Sequence, residues 1–520
     1  MNRLEKIARK SVKGGFYLLS GNIISLILMA FASIVVARLL GPEKYGLYAL
    51  VFVGPSIITS IINLGLPAAI TRYTSLYRSK NMVKNAIGIA SIGLKFRFIM
   101  SLAGFTLSLL LSDMFALMIN RPDASLYIKV ASIIILGNMI FTAIQNIYLG
   151  FDEMRYASIN MVIQATTKFI LTPILILIGF QLLGAIIGHI SSYIIATIIG
   201  MLIVYRKIFN INNDRKTKFM DGLKTMLSYS LPLYFSALIS SMSMQYNNIA
   251  QSWFASNFQI GNFKVATNFL SLLTVLTAPI SSTLFPAFSK FSIDEDRDDL
   301  MEFLKYSVKY TSMILIPATI FVMFLSRELV YIIYGSSYTL SPLYLTMYGV
   351  GYLYISILIV LSSFLNGIGK TKTILWGNIL GIIMTIPLTY ILGYLYNIIG
   401  IIISILIVNL SICIYYAHIV KTKYGMKIDF KTILKIFSTA LISAIPIIFI
   451  KNYVSNTILT LILCGAIYLS IYLTITPIAK IVDKKDLRRI RTLTKDIKII
   501  YPIIQRTLRY EEIVIEKLIL

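Results

Sequence analysis

The sequence predicts an all-α polytopic membrane protein of about fourteen transmembrane helices, arranged as two pseudo-symmetric six-helix lobes plus two extra helices. Three observations carry this. Of 520 residues, 57% are hydrophobic and 13% are charged, about half the charge of a soluble domain. Apolar runs long enough to cross a hydrocarbon core about 30 Å thick recur along the whole chain. Basic residues alternate with those runs, and the pattern repeats after about 216 residues.

The basic start, 1-MNRLEKIARKSVKGG-15, leads into a run too long for a signal h-region and without a small-residue cleavage pattern, so it reads as a retained first span. Fourteen spans follow from the apolar pattern: 14–37, 47–70, 86–111, 128–149, 157–179, 184–204, 227–250, 263–288, 308–325, 343–365, 374–393, 399–418, 436–450 and 457–477. Helices are the expected form, because lipid cannot satisfy open backbone groups. With both termini cytoplasmic, the inner segments hold 37 of the 48 basic residues and the outer loops 5: Arg38, Lys44, Arg121, Arg327 and Lys451. An odd number of spans would scramble this split. Much of the net charge of +26 is thus an orientation signal, and nucleic acid is not an expected partner. Trp253 and Trp376 fall at predicted span ends, as aromatic belts require. Cys413 and Cys464 lie inside apolar runs and read as small packing residues rather than a disulfide or metal pair.

The repeat pairs 179-GFQLLGAIIGHIS-191 with 393-GYLYNIIGIIISI-405, and 45-YGLYALVF-52 with 260-IGNFKVAT-267, where Gly46 matches Gly261. It also pairs 148-YLGFDEMRYASIN-160 with 365-LNGIGKTKTILWGN-378. The last pairing disposes of a nucleotide site at 366-NGIGKTK-372. A phosphate-binding loop needs a glycine five residues before Gly369, where Phe364 stands, and a strand before it. The segment reads as a tight cytoplasmic turn. Six spans per repeat give two lobes of parallel topology. The expected domains are residues 1–226, residues 227–420, two extra spans over 421–479, and a basic cytoplasmic tail over 480–520. Residues 206–224 join the lobes as a polar linker. The tail, with 484-KKDLRRIRTLTKDIKIIYPIIQ-505, is expected to form helices lying on the anionic inner leaflet.

Such repeats place a transporter's central site between lobes near the bilayer midplane. Six basic residues fall within predicted spans: Lys95, Arg97, Lys129, Lys168, Lys264 and Lys309. All 22 acidic residues fall in loops or tails, so none of the six has an expected acidic counterpart. Lys95, Arg97, Lys129 and Lys309 lie nearer span ends and are expected to snorkel. Lys168 sits near the middle of its span, where a lysine costs about 2.5–3.5 kcal/mol, and with Lys264 it is expected to face water, carbonyls or an anionic ligand. Span seven adds amides along 242-MSMQYNNIAQSW-253. Gln245 and Asn248 follow helical spacing, and Asn247 pairs with Gln251 at i, i+4. His189 reads as a packed, hydrogen-bonded histidine. Cations with amide donors suit an anionic, hydroxyl-rich solute, such as a phosphate- or pyrophosphate-linked sugar lipid.

The stretches 37-ARLLGPEKYGLYALVF-52 and 64-LGLPAAITRY-73 resemble the polysaccharide-export, Wzx-type branch of the multidrug/oligosaccharidyl-lipid/polysaccharide flippase superfamily. The resemblance implies a MATE-like fold in the cytoplasmic membrane of a prokaryote, and a non-enzymatic flippase for polyprenyl-linked oligosaccharides, in polysaccharide or surface-glycan biosynthesis. It implies that Arg38 and Arg72 sit near the mouths of the lumen. The expected binding residues are then Arg38, Arg72, Lys168, Lys264, Gln245, Asn247, Asn248 and Gln251, with no cofactor and no metal. Membrane lipids are further partners, glycan-assembly enzymes are a candidate contact, and a monomer is expected. The nearest alternative is a cation-coupled multidrug exporter of the same superfamily, which typically carries intramembrane carboxylates that these spans lack. A membrane glycosyltransferase or polymerase would need an acid, base or metal pair at a membrane face. The run 294-DEDRDD-299 is the one acidic cluster and reads as a solvated turn.

Overall fold

The computed structural model describes residues 3–210, 218–289, 291, 296–454, 456–494 and 501–518. Residues 211–217 of the predicted linker, 294–295 of the acidic run and 495–500 of the tail lie outside these. Two compact units make up the chain: Met1–Asn268 with Asn378–Ser404, and Phe269–Gly377 with Ile405–Leu520.

The first unit holds α1 (Arg3–Val51), α2 (Val53–Ile62), α3 (Leu66–Ser79), α4 (Val83–Leu110), α5 (Ser112–Met118), α6 (Ser125–Ala131) and α7 (Ile134–Gly150). It continues with α8 (Met154–Leu175), α9 (Gln181–Val204), α10 (Phe219–Phe254) and the start of α11 (Asn257–Phe288). The second holds the rest of α11, then α12 (Arg297–Phe324), α13 (Ser326–Tyr334) and α14 (Ser341–Gly367). Both ends of α15 (Thr371–Tyr424) belong to it, as do α16 (Phe430–Tyr453), α17 (Thr457–Ile478), α18 (Lys484–Thr494) and α19 (Tyr501–Leu518).

Among the described residues, nine helical stretches are long and apolar enough to cross a membrane. Three of these, Gly14–Ile62, Met154–Phe209 and Thr371–Tyr424, run to 49, 56 and 54 residues. About 20 residues cross a bilayer, so each has length for two crossings, and each contains a backbone break. The breaks fall at Gly41 (φ 69°), at Gly179 with Gln181 (φ 45°, ψ −120°), and at Asn397 (φ 53°, ψ −133°). Gln181 and Asn397 stand 216 positions apart with nearly the same left-handed dihedrals, which non-glycine residues rarely adopt. Gly184 and Gly400 keep that separation, and a Cβ on either would strike the backbone of the helix before the break, at Leu175 and Leu392. Turn geometry therefore sets the register here. The sequence pairing of Gly179 with Gly393 is two residues off, because a matching glycine–aromatic dipeptide outweighed the position of the break.

The pairing of Gly46 with Gly261 has a direct physical counterpart. A Cβ on Gly46 would meet the Asn257 carbonyl, and one on Gly261 would meet the Pro42 carbonyl. Two residues matched by the sequence repeat thus lie in backbone contact. The short turns also correspond. The Glu153 amide donates to the Tyr148 carbonyl and the Lys370 amide to the Leu365 carbonyl, both at 2.8 Å. Gly369 (φ 74°) takes the left-handed position in 366-NGIGKTK-372, so that segment is a helix-closing turn.

Other expectations change. Span two is not one helix: Leu64 and Gly65 are left-handed and α3 restarts at Leu66, with Pro67 in its first turn. Proline lacks the amide that a continuous helix would need there. Three intramembrane cations expected to snorkel have protein partners instead. Arg97 is 2% exposed and donates to the Met139 carbonyl (2.8 Å), Asn63 Oδ1 (2.7 Å) and Thr142 Oγ1 (2.6 Å). Lys129 pairs with Asp113 at 3.2 Å and Lys309 with Asp486 at 2.6 Å. Carboxylates from a loop and from the tail thus reach cations that the linear sequence leaves alone. Asp298 and Asp299 of the acidic run occupy the exposed first turn of α12, where the helix dipole favours them.

The tail helices form, but they dock on their own unit. Asp486 also accepts from Tyr310 (2.8 Å), Arg489 pairs with Glu302 (2.8 Å), and α19 packs on α17. Burial would raise the Asp486 carboxyl, but hydrogen bonds from Lys309, the Asp483 amide and Tyr310 outweigh it and hold it below the usual range. Glu511 goes the other way. Buried against Thr476 (3.4 Å) and near Asp486, it is pushed up to about 7.

Two predictions follow from this packing. Gly46→Leu or Gly261→Leu is expected to lower the melting temperature in detergent by several degrees, since a backbone carbonyl cannot move aside; Gly15→Leu, with open space around its Cα, should not. Docked Glu511 binds a proton more readily than free glutamate, so its contribution is complete below about pH 4.3 and is lost as pH rises through about 7. Hydrogen-exchange protection factors across α19, corrected for the intrinsic rise of exchange with pH, should fall over that window, and Glu511→Gln should abolish the fall.

Candidate functional site

A cavity of about 340 Å³ lies inside the first unit. It draws on α1 for Ser33, Tyr45 and Tyr48, on α2 for Ser56, on α8 for Lys168, on α9 for His189, on α10 for Gln245 and Asn248, and on α11 for Lys264 and Asn268. Helical spacing explains the selection. Lys264 and Asn268 are one turn apart and share a face, as do Gln245 and Asn248. Asn248 donates to Gln245 Oε1 at 3.2 Å.

The aromatic and amide groups form a fixed polar wall. Asn268 Nδ2 donates to Ser33 Oγ (2.9 Å) and Tyr45 OH (2.8 Å), and those two hydroxyls lie 2.8 Å apart. Tyr48 OH meets His189 Nδ1 at 3.0 Å, and the His189 ring stands edge-on to Phe52 with centroids 4.9 Å apart. His189 is therefore packed and hydrogen-bonded, as its sequence context suggests, while also lining the cavity.

Lys168 and Lys264 are both half-buried, and among the described residues neither has an ion-pair partner. Among the described residues, no aspartate or glutamate lines the cavity. Two ammonium groups in a walled space without a carboxylate create a field that favours an anion. The hydroxyls of Tyr45 and Tyr48 and the amides of Gln245, Asn248 and Asn268 surround that field with hydrogen-bonding groups.

Of the residues singled out from sequence, the cavity brings together Lys168, Lys264, Gln245 and Asn248. Asn247 points elsewhere on α10, accepting from Thr389 Oγ1 at 3.2 Å, and Thr389 in turn meets Ser404 at 2.8 Å. Gln251 is buried one turn further on, outside the lining. Arg38 and Arg72 are exposed and also lie outside it. The Arg72 guanidinium stacks 4.0 Å from the Tyr229 ring centroid. Sequence reasoning missed Ser33, Tyr45, Tyr48 and Asn268. Asn268 was accessible through its spacing from Lys264, and Tyr45 and Tyr48 through their place in 37-ARLLGPEKYGLYALVF-52; Ser33 sits in an apolar run with no local signal.

The polysaccharide biosynthesis protein family matches residues 11–292, more than half of the chain, and the MatE family matches residues 232–391. A putative O-antigen transporter of Shigella dysenteriae is 27% identical over 297 residues, spanning 56% of this chain and 72% of its own. Among solved structures, the fold is similar to that of the lipid II flippase MurJ in an inward closed conformation. The TM-score is 0.73 at 19% identity, covering 89% of this chain and 98% of that one. An inward-facing multidrug resistance MATE family transporter of the MOP superfamily is similar with a TM-score of 0.65 at 19% identity, covering 77% and 94%. On the extent of the family match, this chain is a member of the polysaccharide biosynthesis protein family, and its fold is similar to those of the two solved structures.

Proposed function

We propose that the protein is a flippase that carries a lipid-linked oligosaccharide across the cytoplasmic membrane by alternating access, in the synthesis of a surface glycan. The observation that carries this reading is the cavity in which Lys168 and Lys264 stand without a carboxylate, beside amides and tyrosine hydroxyls. A phosphate or pyrophosphate would supply the missing negative charge, and the amides suit sugar hydroxyls. A head group of this kind loses its hydration on entering hydrocarbon, at several kcal/mol for each unpaired polar group. The cavity replaces those lost contacts. Family membership and the O-antigen transporter relative support the same substrate class.

The basic residues support a cytoplasmic N-terminus and, with an even number of crossings, a cytoplasmic C-terminus. Fourteen crossings in two lobes, residues 1–226 and 227–420, two further spans over 421–479 and a tail over 480–520 remain our reading of the architecture. In it, Arg38 and Arg72 attract the head group at the two mouths of the lumen, and Asn247 and Gln251 join the path in another state of the cycle. The outer closure is supported by Arg121. It donates to Asn257 Oδ1 and the Ala255 carbonyl, both at 2.9 Å, and to the Ser252 carbonyl at 3.3 Å, tying the α5–α6 connection to the α10–α11 corner. The protein is proposed to act as a monomer, with glycan-assembly enzymes as candidate neighbours. Export of organic cations is disfavoured, because the two lysines would repel them.

Each charge-assisted hydrogen bond to a buried anion is worth about 1.5–3 kcal/mol. Lys168→Ala and Lys264→Ala are therefore each expected to slow flipping about ten- to a hundred-fold, with folding retained. The measurement is transfer of a pyrophosphate-linked oligosaccharide lipid between leaflets of proteoliposomes, read with a glycosidase beside a cationic dye-efflux control. Normal flipping in both variants, or dye efflux without glycolipid transfer, would overturn the reading. Arg121→Ala should loosen the outer closure. A cysteine at Met29, in the cavity wall, is then expected to react faster with a membrane-impermeant maleimide added outside; the native Cys413 and Cys464 are buried.

A further inference from the structure

A second concavity, of about 740 Å³, lies on the first unit between α4, α7 and α9. Its wall is apolar, and Phe98, Ile99, Ile198 and Leu202 are each more than half exposed along it. One cation, Lys95, lies on this wall. Lys95 is exposed, and among the described residues it has neither an ion pair nor a hydrogen-bond partner. It therefore differs from Arg97, Lys129 and Lys309, whose charges the protein itself satisfies.

The order of residues along the groove fixes where Lys95 stands. On α4 the lining runs from Leu94 and Lys95 to Ile99, and along α9 from Thr197 to Leu202 and on to Tyr205, directly after the end of that helix. By the span assignment proposed above, α4 leaves the cytoplasmic side while α9 returns to it, so Lys95 shares the end of the groove marked by Tyr205. Exposed Arg206 and Lys207 follow Tyr205 directly, and neither has an ion-pair partner among the described residues. A tyrosine with three cations is the composition of a head-group boundary.

We infer that this groove is a binding site for an anionic phospholipid of the cytoplasmic leaflet, with one acyl chain along the apolar wall and the phosphate on Lys95. Acyl chains of any lipid fill such a groove; the three uncompensated cations at its end select the head group. A zwitterionic head group would bring its own ammonium against them. The transported glycolipid is a poorer occupant, because the wall has little with which to read a sugar. Thr197 already donates its hydroxyl to the Gly137 carbonyl at 3.0 Å, the Tyr205 phenol stands at the cationic end, and among the described residues no amide side chain lines the wall. The inference rests on the proposed membrane orientation but not on the proposed substrate.

The test is native mass spectrometry of the full chain, released from nanodiscs of equal phosphatidylglycerol and phosphatidylcholine. Wild type is expected to retain one phosphatidylglycerol with about tenfold preference, as one charge-assisted contact predicts. Lys95→Gln should cut the preference several-fold and Lys95→Arg should keep it. Leu202→Trp should fill the groove and release the lipid. Equal retention of the two lipids by wild type, or a preference unchanged in Lys95→Gln, would overturn the site. So would displacement of phosphatidylglycerol by a polyprenyl phosphate, which would assign the groove to the transported lipid instead. Folding of each variant is checked by its melting temperature. Because the readout is lipid retention, it can fail while glycolipid flipping succeeds, and the reverse.

Discussion

A charge carried into a membrane-spanning helix must be neutralised by something, and the rest of this structure is arranged around how that is done. Water is scarce there, and an unpaired ion is expensive to bury. Arg97 is satisfied by a carbonyl, an amide and a hydroxyl; Lys129 and Lys309 borrow carboxylates from a loop and from the tail. These three cations stitch helices together. What remains is the informative set: Lys168 and Lys264 in the cavity, and Lys95 on the apolar wall. Among the described residues none of these has a carboxylate partner, so an anion from outside the chain is the natural partner.

The two remaining settings differ in everything except charge. The cavity surrounds its lysines with amides and phenol hydroxyls held by one another, from Asn268 to Ser33 and Tyr45 and from Tyr48 to His189. Such a wall costs little to reorganise when a polar solute enters. The groove offers hydrocarbon, with the Tyr205 phenol at its cationic end. One setting suits a sugar-bearing phosphate, the other an acyl chain with a simple head group. The tail adds a third use of charge. Asp486 ties α18 to α12, whereas Glu511 docks best when neutral, so the two carboxyls respond to pH in opposite senses.

Small residues and backbone breaks set the geometry that makes these sites. Gly46 and Gly261 let two helices touch through their backbones. Such contact is a common way to pack helices where lipid removes the hydrophobic driving force. The left-handed breaks at Gln181 and Asn397 turn long apolar stretches back on themselves at equivalent points of the repeat. Strained backbone at matched positions marks them as architectural.

The sequence by itself determined the helical class and the membrane setting, and it displayed the repeat and the lysines on which the proposed site rests. These depend on composition and on periodicity, which a linear chain displays directly. It also singled out Lys168, Lys264, Gln245 and Asn248, because a polar residue in an apolar run is conspicuous. Only the tertiary structure decided which cations were compensated, since Asp486 lies 177 positions from Lys309 and no local pattern links them. Only it separated Asn248 from Asn247, whose side chains leave one helix in directions about 100° apart. Only it gathered Ser33, Tyr45, Tyr48 and Asn268 into one wall, because a hydroxyl in an apolar run becomes part of a site only when another helix brings it a partner.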